Sequence, residues 1–273
     1  MKKLLVLFLA AVMIFTLAAC GETAPVEKPE ENAESAQTAQ DSDLAYIKEK
    51  GKIIIGITDY EPMNYRDDNG EWTGFDTEFA LLVGKKLGVD VEFIEIDWEN
   101  KQNELNSKAV DCIWNGMTLT DEVLKSMETT DPYVINAQVV VMAADKVADY
   151  PDVDSLKDLA FAVEAGSAGE SALKDNGIDN YTAVNAQSDA LMEVASGSSD
   201  ACVIDITMAN AMTGEGTSYA NLTSGISLTE EEYGIGFRKG SDAAKEVNGI
   251  IKGLKEDGTL KALADKYELT LVD

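Results

Sequence analysis

Histidine is absent from all 273 residues, so the chain has no imidazole for a general base, a Ser-His-Asp triad or a His-ligated zinc. Its three cysteines stand at 20, 112 and 202, and neither their number nor their spacing makes a metal site; no metal and no cofactor is expected. Cys112 and Cys202 fall inside the apolar runs Ala109–Trp114 and Ala201–Ile204 and read as small buried hydrophobes, not as a disulfide pair. The chemistry the chain does carry is carboxylate chemistry: 50 Asp and Glu face 22 Lys and Arg, and the only arginines are Arg66 and Arg238. Carboxylates accept charge-assisted hydrogen bonds from cationic groups. Asp205, closing the run Ala201–Ile204, suits either that role or the N-cap of a helix beginning after Ile206.

A net charge of −28 excludes a nucleic-acid footprint, which needs a basic face. It also keeps the chain soluble and clear of anionic lipid, and gives no signal for self-association, so a monomer is expected. The address is written at the start. Lys2 and Lys3 precede an apolar run from Leu4 to Ala19, shorter than the ~20 residues of a comfortable membrane span, and Leu17-Ala18-Ala19 leads directly into Cys20. This resembles the bacterial lipobox, in which the cysteine becomes the acylated first residue. Residues 1–19 are then a signal peptide, and Cys20 anchors the protein on the outer face of the cytoplasmic membrane. Residues 20–43, rich in Glu, Ala, Pro, Gln, Ser and Thr, offer almost nothing to bury and read as a flexible tether.

Roughly 230 residues remain, enough for one large domain or two small lobes. Their texture alternates. Lys52–Ile57, Val89–Ile96, Ala109–Trp114, Val139–Ala143, Phe161–Val163, Ala201–Ile204 and Tyr233–Phe237 read as strands. Between them lie helical patterns: Phe75–Leu87, with Phe75, Phe79, Leu82, Val83 and Leu87 on one face, then Lys101–Ser107, Gly169–Asn176 and Ser188–Ser196. Ala243–Glu256 gathers Val247, Ile250, Ile251 and Leu254, with Gly258 as its stop and Thr259 as the cap of a last helix. Strands alternating with helices predict an α/β architecture.

In this order the motifs resemble the bacterial extracellular solute-binding proteins that supply polar amino acids to ABC importers. The stations are Tyr60-Glu61-Pro62-Met63, Gly74-Phe75-Asp76, Trp98, Val110 to Thr120, Asp131-Pro132-Tyr133, Val163 to Ser167, Asp205, Tyr233 to Gly240 and Asp257-Gly258-Thr259. The likeness implies a two-lobed periplasmic-binding-protein-like fold with the ligand clamped between lobes joined by two hinge strands. Lobe 1 would take residues 44–140 and 233–273 and lobe 2 residues 141–232, the crossings falling near Val139–Ala144 and Glu231–Gly236.

It also implies a site. Asp205 would take the ligand's ammonium; Asn115, Gly116 and Thr118 would form a cradle after the first-lobe strand. Gly166 and Ser167 would present N–H groups at a helix start, and Tyr60 and Trp98 would be aromatic walls. Taken alone, the two loops are ordinary turns and the two aromatics are core residues. The chain departs from the family at Val123, which stands where an arginine grips the ligand's carboxylate. Glu164 lies on a second-lobe wall on the same side as Asp205. A cleft with these acids and no evident cation suits an amine through ion pairing and cation–π contact; otherwise Lys125 and backbone N–H groups hold an ordinary amino acid's carboxylate. The function implied is capture of a small polar amino acid or related amine and delivery to an ABC permease, without catalysis. The alternatives are a ligand sensor on the same fold and a cyclohexadienyl-dehydratase-like enzyme, for which Glu164 would be the acid–base group.

Overall fold

The computed structural model describes residues 42–273; the signal segment, Cys20 and all but the end of the expected tether lie outside the described residues. Ser42 caps the helix Asp43–Lys50, its hydroxyl accepting from the Ala45 N–H. Asp43, expected in the tether, is instead buried, with both carboxylate oxygens accepting from Nε of Arg238 at 3.0 and 2.9 Å.

Two sheets organise the chain. In spatial order the first is Asp90–Glu95, Lys52–Ile57, Cys112–Thr118, Glu231–Arg238 and Met127–Thr129, with Val134–Asn136 also paired to Glu231–Arg238. Lys52–Ile57 runs parallel to both neighbours, and Glu231–Arg238 antiparallel to Cys112–Thr118. The second is Tyr181–Val184, Phe161–Glu164, Ala201–Asp205, Gln138–Ala143 and Leu222–Ser227. Here Phe161–Glu164 is parallel to both neighbours, while Gln138–Ala143 is antiparallel to Ala201–Asp205. Helices flank both sheets, as the α/β pattern requires. Phe75–Leu87 buries Phe75, Phe79 and Val83, and Ala243–Glu256 buries Val247, Ile251 and Leu254. Each such side chain contributes about 1.5–3 kcal/mol when fully buried.

The chain passes to the second sheet between Asn136 and Gln138 and returns between Ser227 and Glu231. Both passages precede the expected crossings, so Val139–Ala143 belongs wholly to the second sheet and Glu231–Arg238 to the first. An apolar run announces burial; it does not say which sheet buries it. Other boundaries differ for local reasons. Strand Cys112–Thr118 continues through Asn115-Gly116, read in sequence as a turn, because Gly116 adopts φ 54° inside the strand. Gly258, at φ 77°, takes the N-cap position of Thr259–Lys266, and Thr259 is its first residue. Cys112 and Cys202 are free and fully buried. Among the described residues no helix is long and apolar enough to cross a membrane, and no acid or cysteine cluster could hold a metal.

Candidate functional site

The parallel strands of both sheets end at a common cleft, and the residues following their carboxyl ends line it: Trp98 after Asp90–Glu95, Gly166 and Ser167 after Phe161–Glu164, and Asp205 closing Ala201–Asp205. Ligands of α/β folds bind outside the carboxyl ends of strands, where loops can diverge. The cleft encloses a cavity of about 360 Å³, and nine of the ten expected residues line it: Trp98, Asn115, Gly116, Thr118, Val123, Glu164, Gly166, Ser167 and Asp205.

Tyr60 is the exception. It is 1 % exposed and sits behind Gly116, where a Cβ would lie 2.7 Å from the Tyr60 ring. Its hydroxyl is hydrogen-bonded to those of Tyr233, in the first sheet, and Thr207, in the second-lobe helix Ile206–Met212. Tyr60 is therefore a strut between the lobes, not a cavity wall. Trp114 is buried too, its indole N–H donating to Asp76 Oδ1 at 3.1 Å.

The lining residues divide by what their polar atoms are already doing. Asn115 is committed inward: Nδ2 donates to Thr58 O at 3.0 Å, and Oδ1 accepts from the N–H and hydroxyl of Thr58. The Thr118 hydroxyl donates to Glu231 Oε2 at 2.7 Å. Ser167 caps the helix Ala168–Asp175, accepting from the Glu170 N–H. Asp205 occupies the N-cap position of Ile206–Met212 without capping it. Its Oδ1 accepts instead from the amides of Asn136 and Gln138, and its Oδ2 from that of Gln187. Burial and the nearby Glu231 nonetheless raise its carboxyl to about 7.

Glu164 is 2 % exposed, and its Oε1 has no hydrogen-bond partner among the described residues. Burial, with the charge of Asp205, raises it to about 8, against the pull of Lys101. Lys101 is the cation that sequence reading did not find. It opens the helix Lys101–Asn106, three residues beyond Trp98, and that helical spacing was the available signal. Its Nζ lies 5.0 Å from the Trp98 ring centroid and donates to Trp98 O at 3.2 Å and to Gly166 O, in the other lobe, at 2.8 Å. Burial lowers its pKa, with Glu164, Glu122, Glu99 and Glu170 acting in the opposite sense. Lys174 also lines the cavity but is paired with Glu170 at 2.7 Å.

Both arginines are engaged elsewhere. Arg238 is buried on Asp43 and the carbonyls of Leu105 and Val110. Arg66 stacks on Trp72 and pairs with Glu95. Lys125, expected to help hold a carboxylate, is outside the cavity lining, and its side chain is 76 % exposed beside Asp121. Val123 does line the cavity, and is buried among Trp98, Met117 and Met127.

The arrangement is a polar cavity between two lobes, with five carboxylates and two ammonium groups on its walls. It can hold a small charged molecule by ion pairing and hydrogen bonding, and the contacts across the cleft suit a clamp. The chain is similar to known proteins over most of its length. The chain is 31 % identical over 274 residues to the L-cystine-binding protein TcyA of Bacillus subtilis, covering 98 % of this chain and 97 % of TcyA. It is 29 % identical to the L-cystine-binding protein TcyJ of Escherichia coli over 82 % of this chain and 85 % of that one. The crystal structure of the ancestral amino acid-binding protein AncCDT-1, a precursor of cyclohexadienyl dehydratase, matches with a TM-score of 0.75 and 31 % identity, covering 83 % of this chain and 99 % of that chain. Residues 53–270 match the model of a single family, and the chain belongs to it: the bacterial extracellular solute-binding proteins, family 3.

Proposed function

We propose that this protein is the substrate-binding component of an ABC importer, capturing a small polar amino acid or related amine by lobe closure and passing it to a membrane permease. The observation that carries the reading is the charged cavity of about 360 Å³ at the strand ends of both lobes, with each lobe supplying part of its wall. Such a site works by population shift: the ligand touches both lobes only when they are closed, so binding favours that state. Nothing in this cycle breaks a covalent bond. The leader ending at Leu17-Ala18-Ala19 and the acylation of Cys20 would keep the protein, as a monomer, at the outer face of the membrane beside its permease.

The presence of Lys101 favours a zwitterionic amino acid over a carboxylate-free amine, and the cystine-binding relatives place cystine among the ligands to try first. The test is a thermal-shift screen of residues 21–273 against the standard amino acids, cystine, polyamines and quaternary amines. A ligand at a hundred times its dissociation constant stabilises by ~2.7 kcal/mol, several degrees in melting temperature. Stabilisation by amino acids supports the reading; a flat response across the panel overturns it.

Glu164 supports a second reading. A buried carboxyl raised to about 8 can serve as a general acid near neutral pH, and one structural relative is a precursor of a dehydratase. Recovering the bound compound chemically unchanged after long incubation excludes that reading; conversion to an elimination product establishes it.

A further inference from the structure

Lys101 and Glu164 face the same cavity, from opposite lobes, and neither has an oppositely charged partner among the described residues. Among the described residues no carboxylate oxygen lies within 4.0 Å of the Lys101 ammonium, whose partners are two backbone carbonyls. Glu164 is the converse: its Oε1 is buried with no donor. The two charges therefore do not pair with each other. A second orphaned acceptor, Oε1 of Gln102, belongs to the residue next to Lys101 and also lines the cavity.

A buried polar group without a partner is costly, and a guest that supplies the partner gains correspondingly. The other lining groups are in a different condition. Asp205 already receives three side-chain amides, Asn115 is spent on Thr58, and Thr118 is spent on Glu231. Position 123 offers only a hydrocarbon. A zwitterion entering this cavity finds one cation free of a carboxylate and one fully buried carboxyl, that of Glu164, with a free oxygen.

We propose that Lys101 fixes the ligand's carboxylate, in place of an arginine at position 123, and that Glu164 is the principal acceptor for the ligand's ammonium. This assignment rests on the reading of the protein as an amino-acid-binding component, and names the residues that give it its specificity. Asp205, with its three amide donors, then shapes the second-lobe wall and supplies negative potential, not the main contact. Because Lys101 reaches across to Gly166 O, the same side chain that holds the carboxylate also lies at the seam of the closed lobes.

The test deletes one charge on the protein and the matching charge on the ligand. The probes are the amino acid that binds most tightly among the standard set and cystine, its carboxamide, and its 2-hydroxy-acid analogue, each titrated calorimetrically into wild type, Lys101→Met, Lys101→Arg and Glu164→Gln. Loss of a charge-assisted contact is expected to weaken the amino acid about ten- to a hundred-fold. Lys101→Met should show that loss with the amino acid and the hydroxy acid, and almost none with the carboxamide, while Lys101→Arg retains the discrimination. Glu164→Gln should weaken the amino acid and the carboxamide but not the hydroxy acid. Variants that weaken all three probes equally would show that these residues act on closure or stability alone, and overturn the assignment. So would variants that weaken none. If wild type binds no amino acid at all, the functional reading itself fails, and the two failures are told apart in the first titration. Lys101→Arg, which keeps the charge, guards against a Lys101→Met chain that does not fold.

Discussion

Gly166, in the second lobe, lies so close beneath Glu99 of the first that a Cβ on it would stand 2.8 Å from the Glu99 Cα. The same glycine has φ 68°, and its carbonyl receives the Lys101 ammonium. One residue thus sets how tightly the lobes meet and completes the wall of the cavity.

Gly166→Ala is therefore expected to prop the lobes apart. A methyl group there meets backbone, which cannot swing aside, and the left-handed φ costs about 1 kcal/mol more. We expect weaker ligand binding by about ten-fold or more with an unchanged first-lobe core. Small-angle scattering with ligand at saturation checks this: the variant should stay larger than wild type, and equal radii would refute the wedge.

Stability should fall as pH rises. Glu164 is raised to about 8, and Asp205 and Asp76 each to about 7, in every case chiefly by burial. Each then binds a proton in the folded chain that the unfolded chain has already released above its ordinary carboxylate pKa. The protonated forms favour folding, so their contribution is lost progressively between about pH 4 and pH 8. The ligand-free melting temperature is expected to decline across that window. Glu164→Gln, which cannot ionise, should raise it more at pH 8.5 than at pH 5; an equal effect at both values would rule out ionisation of Glu164 as the cause.

Val123→Arg tests whether position 123 reaches the ligand. Val123 lines the cavity and is 6 % exposed, so a guanidinium there must either enter the cavity or disturb Trp98 and Met127. The expected result is amino-acid binding tightened about ten-fold relative to the corresponding carboxamides, with less dependence on Lys101. An unchanged preference in a folded variant would show that the position does not face the guest.

Arg238→Met should damage the fold without touching the cleft. Arg238 holds Asp43 and the carbonyls of Leu105 and Val110, and lies 3.7 Å from Asp111, itself bound to Lys50 at 2.6 Å. Removing the central cation strands buried carboxylates, at about 3–5 kcal/mol. Denaturant titration should show that loss while affinity, measured below the midpoint, stays at the wild-type value.

Much of this molecule was legible in its sequence. Period-3.6 burial places Phe75–Leu87 and Ala243–Glu256, because a helix facing one sheet must repeat its apolar residues at that spacing. The buried strands Lys52–Ile57, Phe161–Glu164 and Ala201–Asp205 stood out as short apolar runs. Short strands such as Met127–Thr129 and Val134–Asn136 did not, since three residues carry no period and exist only because Glu231–Arg238 offers them a partner. Val123, singled out in sequence as standing where the family carries an arginine, lines the cavity, but Lys125 does not replace that cation there: two residues along a helix turns a side chain away, here into solvent.

Sequence alone determined the absence of imidazole chemistry, the acid excess, the α/β alternation and the family, since these depend on residue types and local spacing. Only the tertiary structure decided which polar atoms are already spent. It took Tyr60 out of the wall by bonding it to Tyr233 and Thr207, enclosed Asp205 with three amides, and left Lys101 and Glu164 facing one cavity without an oppositely charged partner among the described residues. The physical reason is that a hydrogen bond between residues far apart in the chain has no sequence period; it is fixed when the helices pack on each sheet and the lobes meet.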